Sequence, residues 1–401
     1  MKIFKNPFSK KSATADDLER VVREAIGSLG GISASGVQVG DTIALRVAAV
    51  YACIKVLAES VAQLPLHVYV QDGESKKRAV DHPLYDVLAN RPNSWQTSFE
   101  FRELMMAYLC LRGNACAWIN RVNGEIRELV PIHPDNVSVS QNDDFSLEYT
   151  VNFKNKTEVY SQEDMFHIRG MTLNGVLGLS PISYARESIG LAVATEAHGS
   201  RLFKNGARPG GILSHPAKLS PEAATRLKAS WQNATGGENQ HGTAILEEGM
   251  KWNPMGLSNE DSQFLETRKF QVEEIARIFR VPLHMIQSTE KSTSWGSGIE
   301  SLTLGFVKFS LLPWLKRWEQ AISRDLLTKA ERKKYYAEYL VEGMERASVE
   351  TRYKSYGMAI QNGIMNPNEA RRRENMDPRA GGDEFWKPSN MMGDKDEQEQ
   401  T

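Results

Sequence analysis

Only three cysteines, Cys53, Cys110 and Cys116, occur among 401 residues. An odd number, set in apolar segments without paired metal-ligand spacing, excludes a disulfide framework and points to reduced thiols in a core, as in a cytosol-like compartment. Also missing is an excess of charge of one sign. Lysine and arginine total 49 against 50 aspartates and glutamates, a net charge of −1, so no global basic field draws the chain to nucleic acid or anionic membrane. No uncharged apolar run approaches the roughly 20 residues that span a bilayer. The most apolar early stretch, residues 43–70, is broken by Arg46, Lys55 and Glu59. The basic start MKIFKNPFSKK is followed by no continuous apolar segment and no small-residue cleavage site, so it does not read as a secretory signal.

Signatures of catalysis are missing too. There is no G-x-x-x-x-G-K-[ST] loop to cradle a triphosphate. GVLGLSPIS puts proline where a nucleophile elbow needs its second glycine, and Ser180 serves better as a helix cap. The eight histidines include no H-E-x-x-H, and His133 with Asp135 in HPD reads as loop structure rather than a metal site. Asp143-Asp144, Glu273-Glu274 and Arg371 to Arg373 read as solvated faces. The expectation is a non-enzymatic protein with no cofactor and no metal.

What is present is an α+β pattern long enough for two or three domains. The first 43 residues mix charge with Ser and Gly and read as a mobile arm holding at most a short helix. Val47, Val50, Ile54, Leu57, Val61 and Leu64 place one apolar stripe on a helix that Pro65 must end. LPLHVYV alternates like a half-buried strand, and Asp72-Gly73 supplies its turn. Thr97 with Glu100 forms a capping box for a helix that Gly113 closes. Asn123-Gly124 between ACAWINRV and EIRELVPI is the strongest hairpin signal in the chain. VSVS, LEYTVNF, EVY and the segment ending at Phe166 complete the strands.

Long helices follow. Ser180-Pro181 opens one that runs to Asn205-Gly206. GGILS, a helix from Ser220-Pro221 through Trp231, and TAILEEGMKWNPM form a strand, helix and strand insert, with Trp231 as a core residue. Ser258 with Asp261 caps the next helix, which Val281-Pro282 ends. A polar run with one tryptophan, QSTEKSTSWGSGIES, precedes an apolar stripe through Pro313, where the helix should kink. Asn366, Pro367 and Glu369 cap a last helix, and an acidic tail reads as disordered.

Several strings occur together in one order: VYACIKVLAESVAQLPLHVY, HPLYDVLANRPNSWQTSFEFRELMMAYLCLRGNA, ELVPIHPDNV, FHIRG with GLSPI, RLFKNGARPGGIL, LEEGMKWNP and FLETRKFQVEEIARIFRVPLHM. In this the sequence resembles the portal proteins of long-tailed bacteriophages over residues 44–375. The resemblance implies a portal-type α+β fold assembled as a ring, dodecameric in particles, at one capsid vertex. DNA enters there during packaging and leaves during infection.

The resemblance further implies a wing over residues 44–179, stem helices over 180–207 and 258–282, and a clip over 208–257. A tunnel loop follows over 283–298, then a kinked helix and wing return over 299–346, a crown over 347–378 and a tail over 379–401. It places Gln287, Ser288, Thr289, Glu290, Lys291, Ser292, Thr293, Ser294, Trp295, Gly296 and Ser297 in the tunnel loop. Pro216, Lys218, Arg226, Trp231 and Glu238 fall in the clip as docking residues. The implied partners are double-stranded DNA held transiently, the terminase large subunit, capsid and scaffold proteins, head-completion connectors and further copies of the chain. The implied location is the virion, with the host cytoplasm during assembly. Near-neutral composition suits a conduit, since each basic residue is multiplied around a ring and DNA gripped by many would not slide. The competing readings are a non-viral ring-forming adaptor and a nucleic-acid-processing enzyme.

Overall fold

Residues 31–43, expected to be part of a mobile arm, are folded. Ile32 bridges Gln38, and Ser33 donates its backbone N–H to Val37 O across a turn at Gly36, whose φ of +79° is left-handed. Serine and glycine read as slack in the sequence, but here they are turn chemistry. The computed structural model describes residues 31–385 apart from 74, 155, 205–210, 215–219, 236–250, 255–258, 289–296, 342–348 and 375. Two units share the chain: residues 1–293 with 308–339, and residues 294–307 with 340–401.

In the first unit, α1 (Asp41–Ala44) leads into α2 (Ala48–Ala62), whose Val50, Cys53, Ile54, Leu57 and Val61 are buried as the spacing predicts. Strands β1 (Leu66–Asp72) and β2 (Ser75–Arg78) pair about Gly73, followed by α3 (Pro83–Ala89) and α4 (Ser98–Arg112). The predicted box on α4 is present: Thr97 Oγ1 accepts from Glu100 N at 3.3 Å, and Thr97 N donates to Glu100 Oε2 at 2.7 Å. Arg102, buried on α4, satisfies the last carbonyls of two helices by donating to Ala62 O at 2.7 Å and Leu88 O at 3.2 Å. α2 packs against α4, and all three cysteines are buried and free. Burial pushes the Cys53 and Cys116 thiols up to about 12, so they remain protonated core residues.

Strands β3 (Asn114–Val122) and β4 (Glu125–Ile132) form the expected hairpin, with Asn123 and Gly124 both at positive φ. β5 (Val137–Gln141), β6 (Leu147–Asn152) and β7 (Thr157–Ser161) make an antiparallel meander, and β8 (Met165–Arg169) pairs with β3. Cys116, Ile132, Leu147, Tyr149, Val151 and Met165 form the core beneath these strands.

The helical part opens with a short α5 (Pro181–Tyr184) and the long α6 (Arg186–Lys204). β9 (Gly211–Ser214), α7 (Pro221–Thr235) and β10 (Lys251–Pro254) form the insert, and α8 (Asn259–Phe279) follows. The second unit contributes α9 (Ser297–Phe306). Where the sequence predicts a kink at Pro313, residues Val307–Leu311 are π-helical. Pro313 then stands in the first turn of α10 (Leu312–Asp325), where its missing N–H costs no bond. Trp318 on α10 is fully buried, edge-on to Phe166 of β8 at 6.2 Å. β11 (Tyr335–Tyr339) closes the first unit by pairing antiparallel with β1.

In the second unit, α11 (Val349–Gln361) and α12 (Pro367–Arg373) are joined by Arg352, whose guanidinium meets both carboxylate oxygens of Glu374 at 2.9 and 3.0 Å. The Asn366–Glu369 capping box opens α12 as predicted. Part of the expected disordered tail is folded: Asn368 N donates to Gly382 O, and Asn368 Oδ1 accepts from Arg379 N. The buried Asn368 side chain, which no periodicity marks, holds residues 379–382 against α12.

Candidate functional site

Helices α6 and α8 form an antiparallel pair. Gln271 Nε2 donates to Thr195 Oγ1 at 3.3 Å, and Arg268 meets Glu196 at 3.5 Å, so one step up α6 descends α8. Thr195 and Gln271 are buried, and their polar contact fixes the register of the pair. The pair has two ends. From one emerges the insert, where β9 and β10 pair antiparallel with Leu213 and Trp252 at opposite register positions. From the other emerges the run that carries the predicted tunnel loop.

That second end is not slack over its first residues. Arg280 terminates α8 in the left-handed region at φ 57°, and Val281 N donates back to Ala276 O. Leu283–Ile286 form a 3-10 turn, Gln287 is left-handed at φ 58°, and Ser288 N donates to Leu283 O at 3.0 Å. Ser310 Oγ then donates to Arg280 O at 2.6 Å. Within the expected loop over 283–298, residues 283–288 form a fixed turn and α9 begins at Ser297. Of the proposed loop residues, Gln287 and Ser288 lie in that turn and Ser297 starts the helix. Thr289, Glu290, Lys291, Ser292, Thr293, Ser294, Trp295 and Gly296 lie outside the described residues.

In the insert, Ser220 caps α7 by accepting from Ala223 N at 3.2 Å. Arg226 is exposed on α7 and Trp231 is half-buried, whereas Pro216, Lys218 and Glu238 lie outside the described residues. The structure thus brings Arg226 and Trp231 onto one helix.

A polar junction that sequence reasoning missed anchors the start of α5 and α6 to the strands. His167, fully buried in β8, donates from Nε2 to Asn114 Oδ1 at 3.1 Å and accepts at Nδ1 from Tyr149 Oη at 3.1 Å. This tautomer follows from Asn114, whose Nδ2 bonds the carbonyls of Arg112 and Gly178 while its Oδ1 also accepts from Gly178 N. His167 N donates to Asp325 Oδ2, and His167 O accepts from Arg324 Nη2. Burial, reinforced by Arg169 and Arg324, holds the imidazole well below its ordinary pKa. Beside it, Gly113 at φ +71° approaches so closely that a Cβ would stand 2.0 Å from Leu179 O. Ser180, the next residue, caps α5 and donates to Leu111 O at 2.8 Å.

His133 and Asp135 serve as structure. His133 accepts from Asp135 N to cap a short turn, and Arg112 stands between Asp135 Oδ2 at 2.8 Å and Asp41 Oδ2 at 3.0 Å. The arginine cation already occupies the place between the two carboxylates. A cleft lined by Arg121, Glu148, Tyr160, Arg324 and Arg332 is likewise internally paired, with Arg121 donating to Glu163 O and Arg332 to Arg324 O.

The phage portal protein family matches residues 48–375. The chain belongs to that family. It is 34% identical over 364 residues to the portal protein of Enterobacteria phage HK97, covering 88% of this chain and 85% of that one. It is 36% identical over 369 residues to the probable portal protein of Streptomyces phage phiC31, covering 89% and 80%. Among solved structures, a chain from the neck of an empty gene transfer agent particle computed with C6 symmetry superposes with a TM-score of 0.63 at 25% identity, over 90% of this chain and 99% of that one. An HK97-family portal protein from Corynebacterium diphtheriae shares the fold with a TM-score of 0.56 at 20% identity, over 75% and 94%. As a portal protein, this chain forms the channel at the capsid vertex, and its family is a structural one.

Proposed function

We propose that the chain works as a homo-oligomeric ring, a dodecamer in the particle, through which double-stranded DNA passes during packaging and ejection. The supporting observation is the α6–α8 pair, which holds two separate elements at opposite ends of helices up to about 30 Å long. The insert of β9, α7 and β10 at one end is the clip, the docking surface for the terminase large subunit and later for head-completion and tail-connector proteins. Residues 287–297 at the other end are the tunnel loop, presented to the bore from the fixed turn at 283–288. The strand-rich part before Ser180, closed by β11, is the wing, which meets capsid and scaffold proteins and nucleates the procapsid. Helices α11 and α12 are the crown. Assembly takes place in the host cytoplasm.

Electron microscopy of the purified protein tests the ring: a closed assembly with a pore that admits duplex DNA is expected, and a compact monomer would overturn it. Deletion of residues 287–297 separates channel from scaffold. Rings are expected to form while packaging or retention of DNA fails, and a mutant with normal packaged length and yield removes the tunnel-loop role.

A further inference from the structure

Two braced loops of the first unit hold large apolar side chains out to solvent. In the loop that joins β8 to α5, Asn174 Oδ1 accepts from Val176 N and Leu177 N, both at 2.9 Å, and Thr172 Oγ1 accepts from Gly175 N at 2.9 Å. Leu179 N donates to Met171 O at 2.7 Å, and Val176 packs on the strand core. Met171 and Leu173 are left 65% and 71% exposed. Arg317 of α10 donates to Gly170 O at 2.8 Å, and its guanidinium carbon lies 5.8 Å from the centroid of the half-buried Trp314 ring. Methionine, aromatic and arginine side chains are the ones enriched where proteins meet.

The second loop joins α3 to α4. Buried Asn93 accepts at Oδ1 from Trp95 N and Gln96 N, and its Nδ2 donates to Leu129 O of β4 at 3.0 Å. So bracketed, Trp95 is 60% exposed, and Phe99 in the first turn of α4 is 39% exposed with Glu103 one turn further on. The two patches differ in charge. Arg169 and Arg317 both donate to carbonyls of the first loop, at Gly175 and Gly170, and residues 170–179 contain no acid. Around the second loop Asp86, Glu100 and Glu103 outnumber Arg91, which is turned onto Ser94 O.

The patches also lie at opposite ends of α4. A Cβ on Gly113, which closes that helix, would stand 2.0 Å from the oxygen of Leu179, the residue bonded to Met171, whereas Phe99 is the second residue of the helix. About 20 Å of helix therefore keeps either patch from covering the other in one chain.

We propose that Met171, Leu173 and Trp314 of one copy pack on Trp95 and Phe99 of the next. Pairing like with like would bring arginine to arginine or carboxylate to carboxylate, whereas pairing the two different patches matches charge as well as apolar surface. A contact between unlike patches is heterologous, the kind that repeats around a closed ring. The proposal rests on the ring reading above and adds which faces of neighbouring subunits join.

Treatment of the full chain carrying Leu173→Cys and Phe99→Cys with a short bis-maleimide tests the contact, the native cysteines being buried. A ladder of covalent multimers is expected from the double variant and none from either single variant. Multimers from Leu173→Cys alone mean a symmetric contact and overturn the proposal, as do crosslinks confined to one chain. Rings seen by electron microscopy without a ladder overturn the contact and leave the ring reading standing, whereas monomers without a ladder remove both. Leu173→Asp, set against the acids of the neighbour, is expected to weaken assembly about tenfold more than Leu173→Lys, and equal weakening or the reverse order overturns the pairing.

Discussion

The Ser310 hydroxyl donates a 2.6 Å hydrogen bond to the carbonyl of Arg280, the left-handed residue on which α8 ends. The run toward the proposed tunnel loop thus leaves α8 from a carbonyl that a second helical segment has already satisfied. Ser310→Ala leaves that oxygen without its partner, and a loss of about 1–2 kcal/mol is expected. Thermal unfolding checks the stability, and faster amide exchange at Val281 checks that the turn loosens.

Two glycines with similar backbone angles separate conformational strain from collision. Gly124, at φ +84°, has open space around its Cβ direction, so Gly124→Ala should cost about 1–2 kcal/mol. Gly113, at φ +71°, faces the backbone oxygen of Leu179 at 2.0 Å, and no rotamer relieves that overlap. Gly113→Ala should cost more than about 3 kcal/mol or prevent folding. Denaturant unfolding of the pair ranks them, and equal losses would refute the role of the close approach.

His167 gives stability a pH dependence whose sign is fixed by burial. Its folded pKa lies well below 6.5, so between that value and 6.5 the unfolded chain binds a proton that the native state refuses. Stability is full above pH 6.5 and falls as pH drops below it. Asp41 acts in the opposite sense: burial, only partly offset by Arg112, raises its pKa, so its contribution is lost as pH rises from 3.8 through the folded value. Chemical denaturation at pH 7.5, 6.0 and 5.0 should show the decline, and His167→Gln should flatten it.

A conduit also has a salt signature. With charges of both signs balanced over the chain, few phosphates can be neutralised at once. Affinity of the assembled protein for linear duplex should fall less than about tenfold between 50 and 200 mM salt, where six to ten phosphate contacts would lose about 10³–10⁵. Filter binding across that range decides, and a steep slope would mean a gripping surface rather than a sliding one.

Sequence and structure agree where the signal lies within a turn or two. The Thr97–Glu100 and Asn366–Glu369 boxes, the Asn123-Gly124 hairpin and the left-handed Gly113 are written in adjacent residues, and each is present. The folded segment at residues 31–40 is different, because Ala34 finds Glu187 153 positions away and no local pattern announces it. The same holds for His167, whose partners Tyr149, Asn114 and Asp325 converge only after three strands and a helix are in place. The 3-10 turn at Leu283–Ile286 was hidden for another reason: a left-handed Gln287 lacks the glycine that usually marks such a stop. Of the candidate site residues, position along the chain was legible, and which of them share a surface was not.

The pairing of β1 with β11 couples the beginning of the first unit to its end, Leu66 standing opposite Tyr339. During synthesis, β1 therefore waits for its partner while the other helical and strand elements between them emerge. At about 5–20 residues per second, that interval is on the order of tens of seconds. Over that time one edge of β1 keeps its backbone donors and acceptors open, a template for pairing with the wrong chain. Nascent copies on one message are the nearest such chains, so the strand that completes each subunit also closes that edge to them.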